Sequence, residues 1–327
     1  MTSRRLCHFL LCASVCVPVV AQQATPSDGT PTFSVPASAL SSHVTVIAYG
    51  DQRFHDHLNF EIANPHARVA LVNKIAQEKP DAIQMSGDVP FKGTDPDDYK
   101  IFQEETKPWR DENLRVYPAL GNHEVSGGVE KGVAEWWKAF PELKGMRWYS
   151  VVLGDRISLV ELDSLSDLTP GSKQIQWLRA QLTGLPPSVD FVMISLHHPP
   201  VADIQTRYNL DHNPRPNEIA LRDFIAEIEP TLHAAIVVIA GHIHNYERSE
   251  FKGVTYLVSG GGGAQPYKVD RTKDDLYQDA GFPNFHYVKF ELGRNKLKAT
   301  MYRLAGDEDY KKPVWQKKDH FDIDKKK

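Results

Sequence analysis

The chain has 327 residues, 41% of them hydrophobic and 24% charged, which suits a globular protein of one large domain or two modest ones. Its formal net charge is −4 and no basic stripe stands out, so nucleic acid is not a favoured partner. All three cysteines, Cys7, Cys12 and Cys16, fall near the start. The remainder therefore has no thiol nucleophile, disulfide or thiolate ligand, and a metal site there must use histidine, carboxylate and amide.

The opening residues, MTSRRLCHFLLCASVCVPVVAQQA, set Arg4 and Arg5 before an apolar run, Leu6 to Val20, too short to cross a bilayer. Val19 and Ala21 satisfy the small-residue rule for cleavage before Gln22. Residues 1–21 are thus expected to be a secretory signal peptide, against the competing readings of a membrane anchor and a lipoprotein leader. Its removal takes the net charge to −6 and leaves a secreted or periplasmic product without a membrane span. Residues 22–42, rich in Ser, Thr, Pro and Ala, are expected to form a linker or arm.

From residue 43 strand-like and helix-like runs alternate. VTVIAYG (44–50) reads as a strand ending at glycine, and PHARVALVNKIAQEK (65–79) spaces its apolar residues helically. DAIQMSGD (81–88) is a strand into a loop, DPDDYKIFQEETKPW (95–109) a helix stopping near Pro108, and LRVYPALGN (114–122) a further strand into a loop. WYSVVLGDRISLVELDS (148–164) reads as a hairpin about Gly154-Asp155. GSKQIQWLRAQLTG (171–184) is a helix capped by Ser172, followed by the strand DFVMISLHHPP (190–200), the helix PNEIALRDFIAEIEP (216–230) and the strand AAIVVIAGHIH (234–244). GVTYLVSGGGG, FHYVKFEL and KLKATMYRL are later strands. This alternation predicts an α/β domain over 43–305, with 306–327 a charged tail.

Five of the strands run into polar loops: GDQR (50–53), SGDVPF (86–91), GNHE (121–124), LHHPP (196–200) and GHIH (241–244). Each alone has an ordinary explanation: an Asx turn, a left-handed Asn, or a strand broken by proline. Together at strand ends they point to one rim where Asp51, Asp88, Asn122, His123, His197 or His198, His242 and His244 converge. Carboxylates with imidazoles make a mixed nitrogen and oxygen site for Zn, Mn or Fe. Two such ions about 3.5–4 Å apart would clamp a phosphoryl transfer and activate water.

The ordered set D…GD…GNHE…H…GHIH resembles the calcineurin-like metallophosphoesterases over about residues 43–304. GHIHNYERS, WYSVVLGDRISLVELDS, GSKQIQWL and YLVSGGGG resemble the purple acid phosphatase branch. The resemblance implies a four-layer αββα sandwich, with two mixed β-sheets flanked by helices. It implies two divalent or mixed-valence ions: Asp51, Asp88 and His244 on the first; Asp88 bridging; Asn122, His197 and His242 on the second. His197 is preferred to His198 because the family's ligand stands two residues before the proline, here Pro199. His123 would face the phosphate and protonate the leaving oxygen, with Glu124 orienting its loop.

Two positions depart from the family. Its extra ligand to the first ion, a histidine two residues after the first aspartate, is here Arg53; the purple branch's tyrosine three residues after the second aspartate is here Phe91. His55, His57 or water are expected to fill out that shell. Arg53 is read either as a contact to the substrate phosphate or as a surface ion pair, and His198 as a further substrate contact. SGGGGAQPY (259–267) is expected to line the site as a mobile loop, and Trp136-Trp137 to be core or rim packing. The resulting expectation is an exported phosphoesterase taking small phosphomonoesters, with diesters or nucleotides as further classes, by attack of metal-bound hydroxide. The alternative is a non-catalytic phosphate- or partner-binding module with a degenerate first metal position; an exported nuclease is disfavoured by the negative charge.

Overall fold

The computed structural model describes residues 29–205 and 213–327; the expected signal peptide at 1–21 lies outside them. In chain order the main elements are β1 (Phe33–Val35), β2 (Thr45–Tyr49), α1 (Pro65–Glu78), β3 (Ala82–Met85), α2 (Pro96–Glu105), α3 (Lys107–Asp111), β4 (Val116–Pro118), α4 (Val129–Ala139), β5 (Tyr149–Leu153), β6 (Ile157–Glu161) and α5 (Lys173–Thr183). Then come β7 (Phe191–Leu196), β8 (Ile204–Gln205), α6 (Pro216–Ile228), β9 (Ala235–Ala240), β10 (Tyr246–Phe251), β11 (Val254–Ser259), β12 (Val269–Asp270), β13 (His286–Leu292), β14 (Lys296–Ala305) and β15 (Val314–Asp324).

These strands make two large mixed sheets. One runs β1-β5-β6-β7-β9-β11-β10 and the other β15-β14-β13-β2-β3-β4, with β8 and β12 pairing separately. The sheets stack face to face and helices cover them, the four-layer arrangement that the resemblance implied, within the α/β class that the alternation predicted. Side-chain alternation explains the stacking. On β7, Phe191 and Met193 join the cluster between the sheets, while Val192, Ile194 and Leu196 join Ile175, Leu178, Leu182, Leu221 and Ile225 of α5 and α6. On β9, Val237 and Ile239 face inward and Ile236 and Val238 face the helices. A strand buried on both faces needs an unbroken apolar run, which is what AAIVVIA supplies. Across the second sheet, the buried Trp109 of α3 meets Tyr49 edge to face at 6.2 Å and donates its indole N–H to Val72 O of α1 at 2.9 Å.

Three sequence expectations change. The helix predicted over 95–109 is two helices: α2 ends at Glu105, and Pro108 sits in the first turn of α3, where a missing N–H costs nothing. The stretch read as an arm contributes β1, paired with β5. The stretch read as a charged tail contributes the eleven-residue β15, paired with β14 along its length. Both are edge strands, and the many charged residues of β15 (Lys317, Lys318, Asp319, Asp322, Asp324) give a strand a tail-like composition. No helix among the described residues is long and apolar enough to cross a membrane.

Candidate metal centre

The five polar loops leave the carboxyl ends of β2, β3 and β4 in one sheet and β7 and β9 in the other, so the site straddles both sheets at one end. The turns are tight. Asp51 (φ 63°), Arg53 (φ 48°), Asp88 (φ 57°) and His242 (φ 71°) are left-handed, a conformation that costs an L-residue roughly 1–2 kcal/mol. Neighbouring backbone holds them there: Asp51 N donates to Gly87 O at 3.0 Å, Arg53 N to Asp88 O at 2.9 Å, and Ala264 N to Asp51 O at 2.8 Å. The glycines before the ligands serve mostly through close approach. A Cβ on Gly121 would stand 2.4 Å from Asp88 Oδ1, and one on Gly241 2.5 Å from Asp51 Oδ2.

Asp51, Asp88 and His244 bring ligand atoms within 4.8 Å of one another, as do His197, His198 and His242. His244 Nδ1–H donates to the Gln265 carbonyl at 2.6 Å, so its Nε2 carries a lone pair; this faces Asp51 Oδ1 at 3.4 Å. Both atoms are buried without a hydrogen-bond partner. Two opposed acceptors repel unless a cation joins them, so this donor set fits a metal ion.

The second group repeats the logic. His197 Nδ1–H donates to Ser86 O at 2.9 Å, leaving Nε2 facing Asn122 Oδ1 at 2.9 Å and Asp88 Oδ1 at 3.3 Å. His242 Nδ1 stands 3.1 Å from the same Asn122 oxygen and 3.2 Å from His197 Nε2. The outer carbonyl partners fix the tautomers that coordination requires. His198 turns its Nδ1 to Ser164 Oγ at 2.8 Å.

His123 stands beside these groups. Its amide donates to Asp88 Oδ1 at 2.9 Å, its Nδ1–H is anchored on Phe91 O, and its Nε2 lies 3.9 Å from Asp88 Oδ2. Its side chain remains 17% exposed. Glu124, fully buried, accepts from the amides of Asp88 (3.0 Å), Val89 (2.8 Å) and Gly121 (2.7 Å), which ties the second and third loops together.

Electrostatics follow burial and neighbours. Burial pushes the Asp51 carboxyl up to about 6, with the Asp88 charge adding to the rise and His197 opposing it. Burial also acts upward on Asp88, but His197, His123 and Arg53 outweigh it and hold the carboxyl below the usual range. Glu124 is raised to about 8, by burial first and by Asp88 next. Burial lowers His198 and His244 well below the usual imidazole range.

His55 and His57 do not complete the first shell. Both ring nitrogens of His55 are taken, by Arg53 O at 2.7 Å and Asn59 O at 2.8 Å, and His57 pairs with Glu105 Oε1 at 3.1 Å. Phe91 lies against His55 and His123, at ring-centroid distances of 5.6 and 5.5 Å. The glycine-rich run lines the site but as a closely packed wall: Gly262 N donates to Gly50 O, and a Cβ on Gly260 would stand 2.8 Å from Asp51 Oδ2. Trp136 is buried in the core, as expected. Tyr267, at the end of the run expected to line the site, stacks its ring on His244 at 4.1 Å; sequence reasoning missed the Gln265 carbonyl, which nothing in AQPY marks.

A sequence profile described as calcineurin-like phosphoesterase matches residues 46–246. The chain belongs to that family. The matched span holds all five strand-end loops of this calcineurin-like phosphoesterase. Its fold is similar to that of the purple acid phosphatase PPD1 from yellow lupin (Lupinus luteus) seeds, with a TM-score of 0.69 and 18% identity over 89% of this chain and 55% of that one. The chain thus spans about half the length of the lupin protein. GAP50, the anchor in the inner membrane complex of Plasmodium, gives a TM-score of 0.61 at 15% identity, covering 87% of this chain and 90% of that one. A dimetal phosphatase from Danio rerio gives 0.56 at 14% identity, covering 86% and 99%. At these identities the likeness is one of fold. A search of curated proteins found no match.

Proposed function

We propose that this phosphoesterase hydrolyses phosphomonoesters at a two-ion centre, outside the cell or in the periplasm. One ion would be held by Asp51, Asp88 and His244, the other by Asp88, Asn122, His197 and His242. The ions would be Zn, Mn or Fe, lowering the pKa of bound water toward neutrality and polarising the phosphoryl oxygens. The observation carrying this reading is the opposition of Asp51 Oδ1 and His244 Nε2, both buried, both acceptors, and 3.4 Å apart.

The chain's own groups supply the rest. His123, anchored through Nδ1 on Phe91 O, turns Nε2 toward the Asp88 side of the site, and its imidazolium form can give the leaving oxygen a proton. Arg53, charged and partly exposed beside Asp88, suits a phosphate oxygen. Export is supported by the basic Arg4-Arg5 pair and the apolar run after it; N-terminal sequencing of protein recovered from the medium or periplasm checks it.

The decisive assay is hydrolysis of a chromogenic monoester and diester with Zn, Mn or Fe added. His123→Asn is expected to lower kcat by roughly 10²–10⁴-fold with metal content unchanged. Full activity in that variant removes His123 from the chemistry. Arg53 and Phe91, which cannot coordinate, favour a second reading: a phosphate- or partner-binding module. Tight phosphate binding without turnover under any of the three metals would select it.

A further inference from the structure

Asp88 is shared unevenly. Its Oδ1 faces the second group, accepting from the His123 amide and lying 3.3 Å from His197 Nε2. Its Oδ2, which would remain for an ion beside Asp51 and His244, accepts from Arg53 Nη2 at 3.2 Å. Arg53 is held in that pose from behind. Its backbone is left-handed, its amide donates to Asp88 O, and its carbonyl accepts from His55 Nδ1 and from Arg68 Nη1 at 3.1 Å. Its side chain is only 14% exposed. A guanidinium stays charged and offers no lone pair, so it cannot coordinate; it repels a cation and occupies one of that cation's ligands.

We propose that Arg53 is a built-in cation that makes the two metal positions unequal. The second position binds its ion tightly, and the first binds weakly and exchanges its ion. The inference rests on the metal-dependent reading above. The first position would have three protein ligand groups, Asp51, Asp88 and His244, with Arg53 on the Asp88 Oδ2; the second would have four, Asp88 through its Oδ1, Asn122, His197 and His242. Burial in a low-dielectric pocket keeps the Arg53 charge from being screened.

The test is metal stoichiometry of the full chain, loaded with Mn or Zn, desalted and measured by elemental analysis, with a calorimetric titration beside it. The wild type is expected to retain one ion per chain and to bind a second at least 100-fold more weakly. Arg53→Met, which keeps length and removes charge, is expected to retain two; Arg53→Lys, which keeps the charge, one. Two equally tight ions in the wild type, or one in a folded Arg53→Met, overturns the inference. Should Arg53→Met fail to fold, Asp51→Asn and Asn122→Leu decide: the retained ion should survive the first and be lost in the second, and the reverse overturns it. Ester hydrolysis assayed in parallel separates the two ideas. One tight ion without turnover leaves the inequality standing and removes the phosphatase chemistry, whereas no retained ion in any form overturns both.

Discussion

At the scale of single residues, Glu124 does more than its place after a histidine suggests. Its two oxygens accept three backbone N–H groups, one from Gly121 and two from Asp88 and Val89. Glu124→Gln turns one acceptor into a donor facing donors. It should cost about 2–3 kcal/mol in a denaturant titration and weaken metal retention, because the Asp88 loop loses its tie to the Asn122 loop. The proposed ligands were legible as polar groups where apolar strands end, four of them (Asp51, Asp88, Asn122 and His242) directly after a glycine. Their supports were not. Whether Ser86 or Gln265 offers a carbonyl to an imidazole depends on where the backbone turns, and side-chain identity carries no trace of it. His55 and His57 were misjudged for the same reason: nearness in sequence to Asp51 says nothing about which way a ring faces once the Arg53 and Asn59 carbonyls hold one and Glu105 the other.

At the scale of elements, a few polar contacts join the two sheets amid apolar packing, Tyr149 Oη to Pro118 O at 3.0 Å among them, and one involves a buried carboxyl. Gln84 of β3 donates to Glu161 Oε1 of β6 at 2.8 Å and to Met193 O of β7 at 3.1 Å. Burial pushes the Glu161 carboxyl well above the carboxylate range. The folded chain therefore keeps a proton that the unfolded chain releases above a pH of about 4.3. The stability this provides is fully present below that pH and is lost as pH rises through the folded value. Glu161→Gln keeps an acceptor for Gln84 and removes the ionisation. Relative to wild type, its stability in urea should improve from pH 5 to pH 8, by at most about 1.4 kcal/mol per pH unit. A flat difference would mean that Glu161 does not titrate with unfolding. Strands buried on two faces and the β5–β6 hairpin were readable from period and turn; β1 and β15 were not, because an edge strand need not alternate clearly.

At the scale of the whole molecule, the site draws loops from both sheets, so an ion there ties them together. Stripping metal with a chelator should lower Tm, and restoring Zn or Mn at a hundred times its Kd should return about 2.7 kcal/mol, read by calorimetry. An unchanged Tm would mean that the folded chain binds no such ion. The α/β class and the shared rim were legible because alternating strands and helices impose them; the pairing of sheets was implied only by the family likeness, since period alone does not say which strands are neighbours.

The hydrogen bond from the His242 amide to Asp51 Oδ2 spans 191 positions of chain. Contacts of such separation carry a loop-closure entropy that must be met before they form, and chains rich in them fold slowly. While the polypeptide is still emerging from the ribosome, its first aspartate has no histidine to meet, so the metal cannot act as an early template. An ion shared by Asp51 and His244 would find its place only once both sheets stand.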